Sequence, residues 1–196
     1  MAARGYVTFG CFNNFSKVTD EVLLLWRQVL DAVPKSRLLV KSKLFDTAEG
    51  RAVAAKRFVC AGISEGRVEM RGFTKEYLTE YADMDIALDT FPYTGGLTTC
   101  EALYMGVPVV TLCGKSHGGR FGASLLTNAN LEDLVAKTPD EYVRTAAALA
   151  GSLETLTALR ENLRTILQSA PLMDVRGYVQ AVEAAYRAAW ERFVGH

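Results

Sequence analysis

Between Asp85 and Leu112 the chain has an apolar strand, a loop rich in proline and glycine, a helix and a second apolar strand. The strands are predicted at Asp85 to Thr90 and Pro108 to Leu112, and the helix is the crossover that joins them. Such a unit presents free backbone N–H groups and the positive end of a helix dipole to an anion. Glu101, in the first turn of the helix, could accept hydrogen bonds from sugar hydroxyls. Together these features suit a nucleoside diphosphate.

The same alternation of strands and helices extends over the chain up to about residue 138. Further strands are predicted at Tyr6 to Phe12, Arg37 to Ser42, Arg67 to Gly72 and Leu134 to Lys137. Alternation of this kind predicts a parallel sheet with right-handed crossovers, and ligands of open parallel sheets lie beyond the carboxyl ends of the strands. Three loops that follow strands are therefore expected to line one crevice: Asn13 to Lys17, Gly72 to Lys75 and Tyr93 to Thr98.

Helices are predicted between the strands and at the C-terminus. Thr19 is a predicted N-cap, and acidic residues follow it at the positive helix start. The other helices are predicted at Asp46 to Ala61, a short segment through Tyr81, Phe121 to Thr127, Tyr142 to Ser152, Leu153 to Gln168 and Val175 to Phe193. We expect an α/β fold: a Rossmann-like parallel sheet flanked by helices over residues 5–138, with C-terminal helices over 139–196 that pack on the same domain.

Composition excludes several classes of function. The 22 basic and 22 acidic residues give a formal net charge of zero, which argues against nonspecific nucleic-acid binding and against an anionic membrane surface. No apolar run approaches the roughly 20 residues of a membrane span, and the first residues, Met-Ala-Ala-Arg-Gly-Tyr, lack the apolar core of a signal peptide. A cytoplasmic location is therefore expected.

The cysteines and the known metal and phosphate motifs add little. Cys11, Cys60, Cys100 and Cys113 are scattered without a Cys-x-x-Cys pair, so we expect reduced, mostly buried thiols. The chain has no Gly-x-x-x-x-Gly-Lys phosphate loop, no Gly-x-Ser-x-Gly elbow, and no Asp-x-Asp pair in a loop suited to a metal-dependent glycosyl transfer. No metal and no cofactor are expected.

Three segments resemble the O-GlcNAc transferase family, which includes the SPINDLY-like enzymes. Asp89 to Thr111, with Thr-Gly-Gly-Leu-Thr-Thr-Cys-Glu at its centre, resembles the family's donor-site motif. Tyr6 to Lys17 resembles its first strand with the Phe-Asn-x-x-x-Lys loop, and Arg120 to Thr127 resembles its Arg-x-x-Ala-Ser-x-Leu-Thr segment. The resemblance covers residues 5 to 194, and only the C-terminal half of the family's catalytic region.

The resemblance implies the C-terminal, donor-binding lobe of a GT-B type glycosyltransferase. The expected reaction is inverting transfer of N-acetylglucosamine from UDP-N-acetylglucosamine to a Ser or Thr hydroxyl of a protein. The family's N-terminal catalytic lobe and its TPR helical repeats do not lie within this chain, so we expect the isolated chain to bind UDP weakly without turnover. The alternatives are a GDP-fucose or other nucleotide-sugar transferase of the same fold, and a nucleotide-sugar-binding module without catalysis. A related two-lobed sugar-nucleotide epimerase fits less well, because of the Lys17 loop and the Thr-Thr-Cys-Glu helix.

The resemblance also implies roles for two residues of the first loop. Lys17 matches the family lysine that contacts the donor diphosphate, and a fixed cation there would stabilise the charge that builds on the leaving group. Its other interpretation is a solvated lysine before a helix. Asn14 matches an amide-bearing position of the same loop, unless it only caps that loop.

The second group of expected binding residues surrounds the crossover helix. In relatives the helix start, here Thr98 and Thr99, holds the diphosphate, and an acidic residue at the position of Glu101 holds the ribose hydroxyls. The alternative is a capping box, with Thr98 as N-cap and Glu101 three residues later. Gly96 and Leu97 stand where animal members have His and Thr, so those side-chain contacts are lost, while the backbone N–H groups from Gly95 to Thr98 are expected to stay available.

The third group follows the third strand. Phe73, Thr74 and Tyr77 lie where relatives contact the uracil base through backbone groups, and the two aromatic rings could stack on a base or only pack. Arg120 could form a structural ion pair or face the donor, and the former is favoured. His117 is a conceivable base, but a lone loop histidine is more often a surface residue.

Overall fold

The structure is a computed structural model that describes residues 5–195. The prediction about a signal peptide falls largely on residues 1–4, outside the described range. A six-stranded, entirely parallel sheet forms the centre of the fold, in the order β3-β2-β1-β4-β5-β6. The strands are β1 Thr8–Cys11, β2 Arg37–Lys41, β3 Val68–Arg71, β4 Ile86–Leu88, β5 Val109–Leu112 and β6 Val135–Ala136. This confirms the predicted parallel α/β sheet.

Helices lie between the strands along the chain and follow the last strand. They are α1 Asp20–Ala32, α2 Ala48–Cys60, α3 Leu97–Tyr104, α4 Phe121–Thr127, α5 Pro139–Gly151, α6 Leu153–Ser169 and α7 Val175–Val194. The strand order reverses between β1 and β4, and in such sheets a crevice opens at the reversal, beyond the carboxyl ends of the two strands. The loops after β1 and β4 are therefore the natural walls of a ligand site.

Local sequence signals account for several of these helix boundaries. The Thr19 hydroxyl accepts from the Val22 N–H at 3.3 Å and caps α1, as predicted. Thr138 caps α5 by accepting from the Glu141 N–H, and Pro139 fits the first helical position because no N–H is needed there. Helix α5 therefore begins three residues before its predicted start at Tyr142.

Two other boundaries differ from the predictions. Lys43–Asp46 form a separate 3₁₀ turn capped by the Ser42 hydroxyl, so α2 begins at Ala48 and not at Asp46. The turn packs onto the helix so closely that a Cβ at Gly50 would lie 1.9 Å from the Leu44 carbonyl oxygen. The short helix predicted through Tyr81 is a 3₁₀ helix, Tyr77–Asp83.

Two of the C-terminal helices pack against the sheet. The buried Trp26 of α1 donates from its ring N–H to the Tyr142 hydroxyl of α5 at 3.3 Å. From α6, the Arg160 guanidinium donates to the carbonyls of Met84 at 2.8 Å and Ala82 at 3.0 Å, next to the start of β4. These contacts explain why α5 and α6 follow the sheet as part of one core.

Helix α7 differs from α5 and α6 because none of its residues is buried. The side chains of Tyr178, Tyr186, Trp190 and Phe193 are all more than half exposed. The expectation that all the C-terminal helices pack on the same domain, with a division at residues 138 and 139, stays a prediction. None of the helices within residues 5–195 combines the length and the apolar character that crossing a membrane requires.

Candidate functional site

Lys17 joins the loop after β1 to the loop after β4. It lies in a 3₁₀ turn, Phe15–Lys17, and its Nζ donates to the Thr94 carbonyl oxygen at 3.1 Å. The same Nζ lies 4.1 Å from the centre of the Tyr93 ring, within the range of a cation–π contact. Two of the loops that were expected to line one crevice therefore meet at the carboxyl edge of the sheet.

The half-buried position of Lys17 affects its titration. Burial lowers the pKa of Lys17 below its usual value, and the charges of Asp89 and Cys11 oppose that effect only in part. Burial raises the pKa of Cys11 itself to about 12, so this thiol is uncharged at neutral pH. Asp89 is thus the negative group that offsets the burial of the Lys17 ammonium.

The loop after β4 is built around the buried carboxylate of Asp89. Its Oδ1 accepts from the N–H of Gly95 at 2.7 Å and the N–H of Thr90 at 2.9 Å, and its Oδ2 accepts from the Thr111 hydroxyl at 2.8 Å. Burial raises the pKa of Asp89, and these donors oppose the rise. The Gly95 N–H is therefore occupied by Asp89, so the expectation that it is available to a diphosphate is wrong.

Gly95 is required by the close packing of this loop. A Cβ there would lie 2.4 Å from the Thr99 Oγ1 and 3.0 Å from the Asp89 Oδ1. A real side chain would displace either the helix start or the carboxylate, so only glycine lets the backbone approach this closely.

Helix α3 begins at Leu97, two residues earlier than a Thr98 cap would allow. Its N-cap is Gly96, which offers no side chain, and the Thr98 hydroxyl donates to the Asn13 Oδ1 instead. The capping-box interpretation of Thr98 and Glu101 is therefore wrong. Within residues 5–195 no acceptor is found for the N–H groups of Gly96, Leu97 and Thr98, which leaves them for an external anion.

Glu101 is held by two tyrosine hydroxyls. Tyr77 donates to its Oε1 at 2.5 Å and Tyr81 donates to its Oε2 at 3.1 Å. The bond to Glu101 raises the pKa of Tyr77, while burial and then the Glu101 charge raise that of Tyr81. Tyr77 thus has a polar role that the sequence did not predict, whereas a carboxylate with two bonds still has acceptor capacity for a ligand hydroxyl.

A cavity of about 190 Å³ lies between the loop after β3 and the start of α3. Its lining residues are Phe12, Lys41, Ser42, Lys43, Gly72, Phe73, Tyr77, Thr98 and Glu101. The third predicted loop therefore joins the other two at the same edge of the sheet.

The individual residues of this third loop are placed differently from one another. The Phe73 ring is 59% exposed at the cavity, with the Lys43 Nζ 5.3 Å from its centre. Its backbone N–H donates to the Asp46 carboxylate at 2.5 Å, so that group is not free to meet a base. Thr74 does not line the cavity, because its hydroxyl is bound between Lys41 and Glu80.

Lys41 holds the loop after β3 through hydrogen bonds, a role that the sequence analysis did not predict. It is buried at the end of β2, and its Nζ donates to the Gly72 carbonyl at 2.6 Å, the Thr74 hydroxyl at 2.8 Å and Glu80 at 2.8 Å. Burial would raise the pKa of Glu80, but the bonds from Lys41, Thr74 and Arg71 outweigh it and lower that pKa. The available signal was a lysine that directly follows the apolar run Leu38 to Val40.

Asn13 was also missed, and it lies closer to the centre of the site than Asn14. Its buried amide donates to the Asp89 Oδ1 at 3.2 Å and the Thr90 hydroxyl at 3.1 Å, while its carbonyl oxygen accepts from Thr98. The exposed Asn14 instead accepts from the Ser16 N–H at 3.1 Å, in the manner of a loop cap.

His117 and Arg120 have local contacts only. His117 is exposed and meets the Phe121 ring edge-on, with 4.9 Å between the ring centres. Arg120 is exposed and donates to the Lys115 carbonyl, and none of the ion pairs within the described part of the chain includes it. The favoured ion pair of Arg120 is therefore wrong, although its contact is structural.

The four cysteines form no disulfide. All four cysteines are free and only Cys11 is buried, so the expectation of mostly buried thiols is wrong. Over residues 5–195, no group of three or more His, Cys, Asp or Glu side chains could hold a metal ion. Metal-independent chemistry remains a prediction.

Comparison with known proteins identifies the family. The sequence profile of the family described as Glycosyl transferase family 41 matches residues 3–182. This chain belongs to glycosyl transferase family 41. It is 42% identical to the barley (Hordeum vulgare) protein named probable UDP-N-acetylglucosamine–peptide N-acetylglucosaminyltransferase SPINDLY, over 97% of this chain and 21% of the relative. It is 29% identical to the Caenorhabditis elegans UDP-N-acetylglucosamine–peptide N-acetylglucosaminyltransferase, over 95% of this chain and 16% of the relative.

Solved structures agree with the family 41 assignment. A mutant of the Thermobaculum terrenum O-GlcNAc transferase is similar with a TM-score of 0.88 and 39% identity, over 96% of this chain and 36% of that one. Anabaena HepE, solved with UDP and glucose, shares the fold at 16% identity and a TM-score of 0.65, over 95% of this chain and 50% of that one. These findings confirm the resemblance and the fold of a GT-B C-terminal lobe. This chain spans about a fifth of the length of the SPINDLY relatives that it matches.

Proposed function

We propose that this chain is the donor-binding half of an inverting glycosyltransferase that transfers N-acetylglucosamine from UDP-N-acetylglucosamine to Ser or Thr hydroxyls of proteins. The observation that carries the proposal is the position of Lys17 against the Thr94 carbonyl, in the loop that leads into the N-terminal end of α3. A cation from the loop after β1, beside the free N–H groups at the start of α3, suits a diphosphate. The names of the family 41 relatives support the choice of donor.

The proposed role of Lys17 is to stabilise the leaving group. Cleavage of the bond between the sugar and the diphosphate places negative charge on the departing UDP. An ammonium has three N–H donors, and Lys17 uses one of them on Thr94, so two remain for phosphate oxygens. The N–H groups of Gly96, Leu97 and Thr98 and the dipole of α3 add to this stabilisation, because they are fixed before charge develops.

The proposed roles of Glu101 and the 190 Å³ cavity are to position the nucleoside. Glu101 accepts from the ribose hydroxyls, and the exposed Phe73 ring offers a surface for the base. The acceptor hydroxyl, its general base and much of the sugar pocket belong to the N-terminal lobe, which is not within this chain. We therefore propose that the isolated chain binds UDP weakly and does not turn over.

Calorimetric titration of the folded chain with UDP and, separately, with GDP tests this proposal. Saturable binding of UDP with weaker binding of GDP is the expected result. A preference for GDP would favour a GDP-sugar transferase of the same fold. Failure of the folded chain to bind either nucleotide would contradict a donor-binding role.

A transfer assay on a longer protein that includes the N-terminal lobe separates catalysis from binding. Labelled sugar should pass from UDP-N-acetylglucosamine to a protein acceptor, and Lys17→Ala should abolish the transfer. Nucleotide binding without transfer by the longer protein would instead favour a nucleotide-sugar-binding module.

A further inference from the structure

Asp89 lies at the start of the loop that leads into α3, and its carboxylate is buried among groups of the proposed donor site. We propose that Asp89 is a positioning residue: its carboxylate holds the loop between β4 and α3 in the shape that anion binding requires, and its negative charge balances the ammonium of Lys17. The role in binding rests on the proposed function, whereas the hold of Asp89 on the loop that Lys17 contacts is seen in the hydrogen bonds themselves.

The burial of Asp89 is unusual for a carboxylate. The residue is 2% exposed, and none of the ion pairs among the described residues includes it. Burying a carboxylate without a cation in contact is costly unless hydrogen bonds satisfy it. Here four donors do so: two backbone N–H groups, one amide and one hydroxyl.

These donors come from both ends of the loop. In the loop of residues 89–96, Thr90 is the second residue and Gly95 is the seventh, and the N–H groups of both point to the same oxygen, Oδ1. That arrangement closes the loop and fixes the direction of the Thr94 carbonyl, to which Lys17 donates. Asn13 extends the arrangement, because it donates to Oδ1 and accepts from Thr98 in the first turn of α3.

The charge of Asp89 has a second consequence. Burial lowers the pKa of Lys17, and Asp89 is the first of two negative groups that raise it again. The second, Cys11, has a pKa of about 12 and carries no charge at neutral pH. The other groups that meet Asp89 are neutral: Asn13, Thr90, Thr111 and the Tyr142 hydroxyl, which donates to the Asp89 carbonyl oxygen at 2.9 Å.

Asp89→Asn separates the charge from the shape. The asparagine oxygen can accept from the three N–H groups that now bind Oδ1, and its amide can donate to the Thr111 hydroxyl in place of Oδ2. The substitution therefore removes the charge and keeps the loop. Lys17 then loses the group that raises its pKa, so it should lose its proton at a lower pH, and the affinity for an anion should fall at that lower pH.

The first arm of the experiment uses no ligand. The side-chain nitrogen of Lys17 is followed by ¹⁵N NMR through a pH titration, with the signal assigned from its absence in Lys17→Arg. In Asp89→Asn the midpoint should move to lower pH. Asp133→Asn removes an exposed carboxylate next to the start of β6, at the opposite edge of the sheet, and should leave it unchanged. An unchanged midpoint in Asp89→Asn would overturn the pairing.

The second arm measures UDP affinity by calorimetry as a function of pH. At pH values below the Lys17 midpoints of both proteins, Asp89→Asn should bind UDP within about threefold of the wild type. Between the two midpoints its affinity should be lower by roughly tenfold, as expected for losing one charge-assisted contact. If the wild type does not bind UDP, the proposed function fails, and the NMR titration still tests whether the Asp89 charge affects Lys17. If both proteins bind with the same pH profile, the inference fails and the proposed function stands.

Asn13→Ala provides a variant that keeps the Asp89 charge. It removes the link from Asp89 to Thr98, so UDP affinity should fall by severalfold while the Lys17 titration stays unchanged. Should Asp89→Asn fail to fold, this variant still tests the positioning role. Unaltered UDP affinity in folded Asn13→Ala would contradict it.

Discussion

The Lys17 ammonium donates to the carbonyl oxygen of Thr94 at 3.1 Å, across a separation of 77 residues. The contact joins the loops that follow β1 and β4, the two strands between which the strand order reverses. It places one cation beside a helix start whose first N–H groups have no acceptor within the described residues. The proposed chemistry depends on this arrangement more than on any single side chain.

Glu101→Gln should weaken the binding of UDP without affecting the binding of pyrophosphate. The carboxylate is proposed to accept from ribose hydroxyls, and a neutral amide accepts more weakly, so a loss of about fivefold to tenfold is expected for UDP. Calorimetry with the two ligands measures the difference. Equal losses for UDP and pyrophosphate would place Glu101 near the phosphates instead of the ribose.

The titration of Tyr77 should report its hydrogen bond to Glu101. The bond raises the pKa of Tyr77, because ionising the phenol would set two negative charges side by side. The absorbance titration curve of Tyr77→Phe is subtracted from that of the wild type to isolate the signal of Tyr77. This signal should show ionisation at a higher pH than that of an ordinary tyrosine. Glu101→Gln should move that ionisation to lower pH, and no movement would mean that the two side chains do not interact.

Lys41→Met should destabilise the chain by about 1 to 3 kcal/mol, because the partly buried Glu80 loses one of its two cationic partners and keeps only Arg71. Adding Glu80→Gln should recover part of that loss, since the uncompensated charge is removed. Urea unfolding measures both variants. If the losses of the two single variants simply add, the ion pair is not energetically coupled.

Acidification should weaken the same ion pair in the wild type. The pKa of Glu80 is lowered in the folded state, so its contribution to stability is present above the pKa of an unfolded glutamate. That contribution is lost as pH falls through the lowered pKa of Glu80. The unfolding free energy of Lys41→Met/Glu80→Gln should therefore depend less on pH in the acidic range than that of the wild type, and equal dependence would contradict the assignment.

Tyr142→Phe should cost about 1 to 3 kcal/mol of unfolding free energy. Its buried hydroxyl donates to the Asp89 carbonyl and accepts from the Trp26 ring N–H, and removing it leaves both groups unsatisfied. Tyr186→Phe is the matched control, because Tyr186 is 74% exposed on α7 and its loss of a hydroxyl should change stability by less than about 0.5 kcal/mol. Similar effects in both would argue against the packing of α5 described above.

The order of strands and helices could be predicted because its signals are local. The Thr19 side chain caps α1 by accepting from the N–H of Val22, only three residues later. Strand β5 is an apolar run that begins shortly after Gly106, and α4 begins directly after Arg120. The convergence of the three loops followed from the general geometry of parallel sheets. These features need no knowledge of contacts between distant residues.

The internal structure of the site depends on contacts that local patterns do not encode. The start of α3 was mispredicted because the Thr98 hydroxyl binds Asn13, 85 residues earlier in the chain, instead of capping its own helix. The bonds from Tyr77 and Tyr81 to Glu101 were not predicted, because these tyrosines lie 24 and 20 residues earlier in the chain. The local sequence indicates only that Asp89 is a polar residue at the end of a strand. The four donors around its carboxylate are visible only in the folded structure.

The central claim is that Lys17 and the start of α3 hold a diphosphate, and calorimetry with UDP and with uridine tests it most directly. Lys17→Ala should weaken UDP binding by roughly tenfold or more, as expected for a lost charge-assisted bond, and should leave uridine binding unchanged. Lys35→Ala is the matched control, because Lys35 is exposed just before β2 at the opposite edge of the sheet. Equal UDP affinity in the wild type, Lys17→Ala and Lys35→Ala would contradict the account.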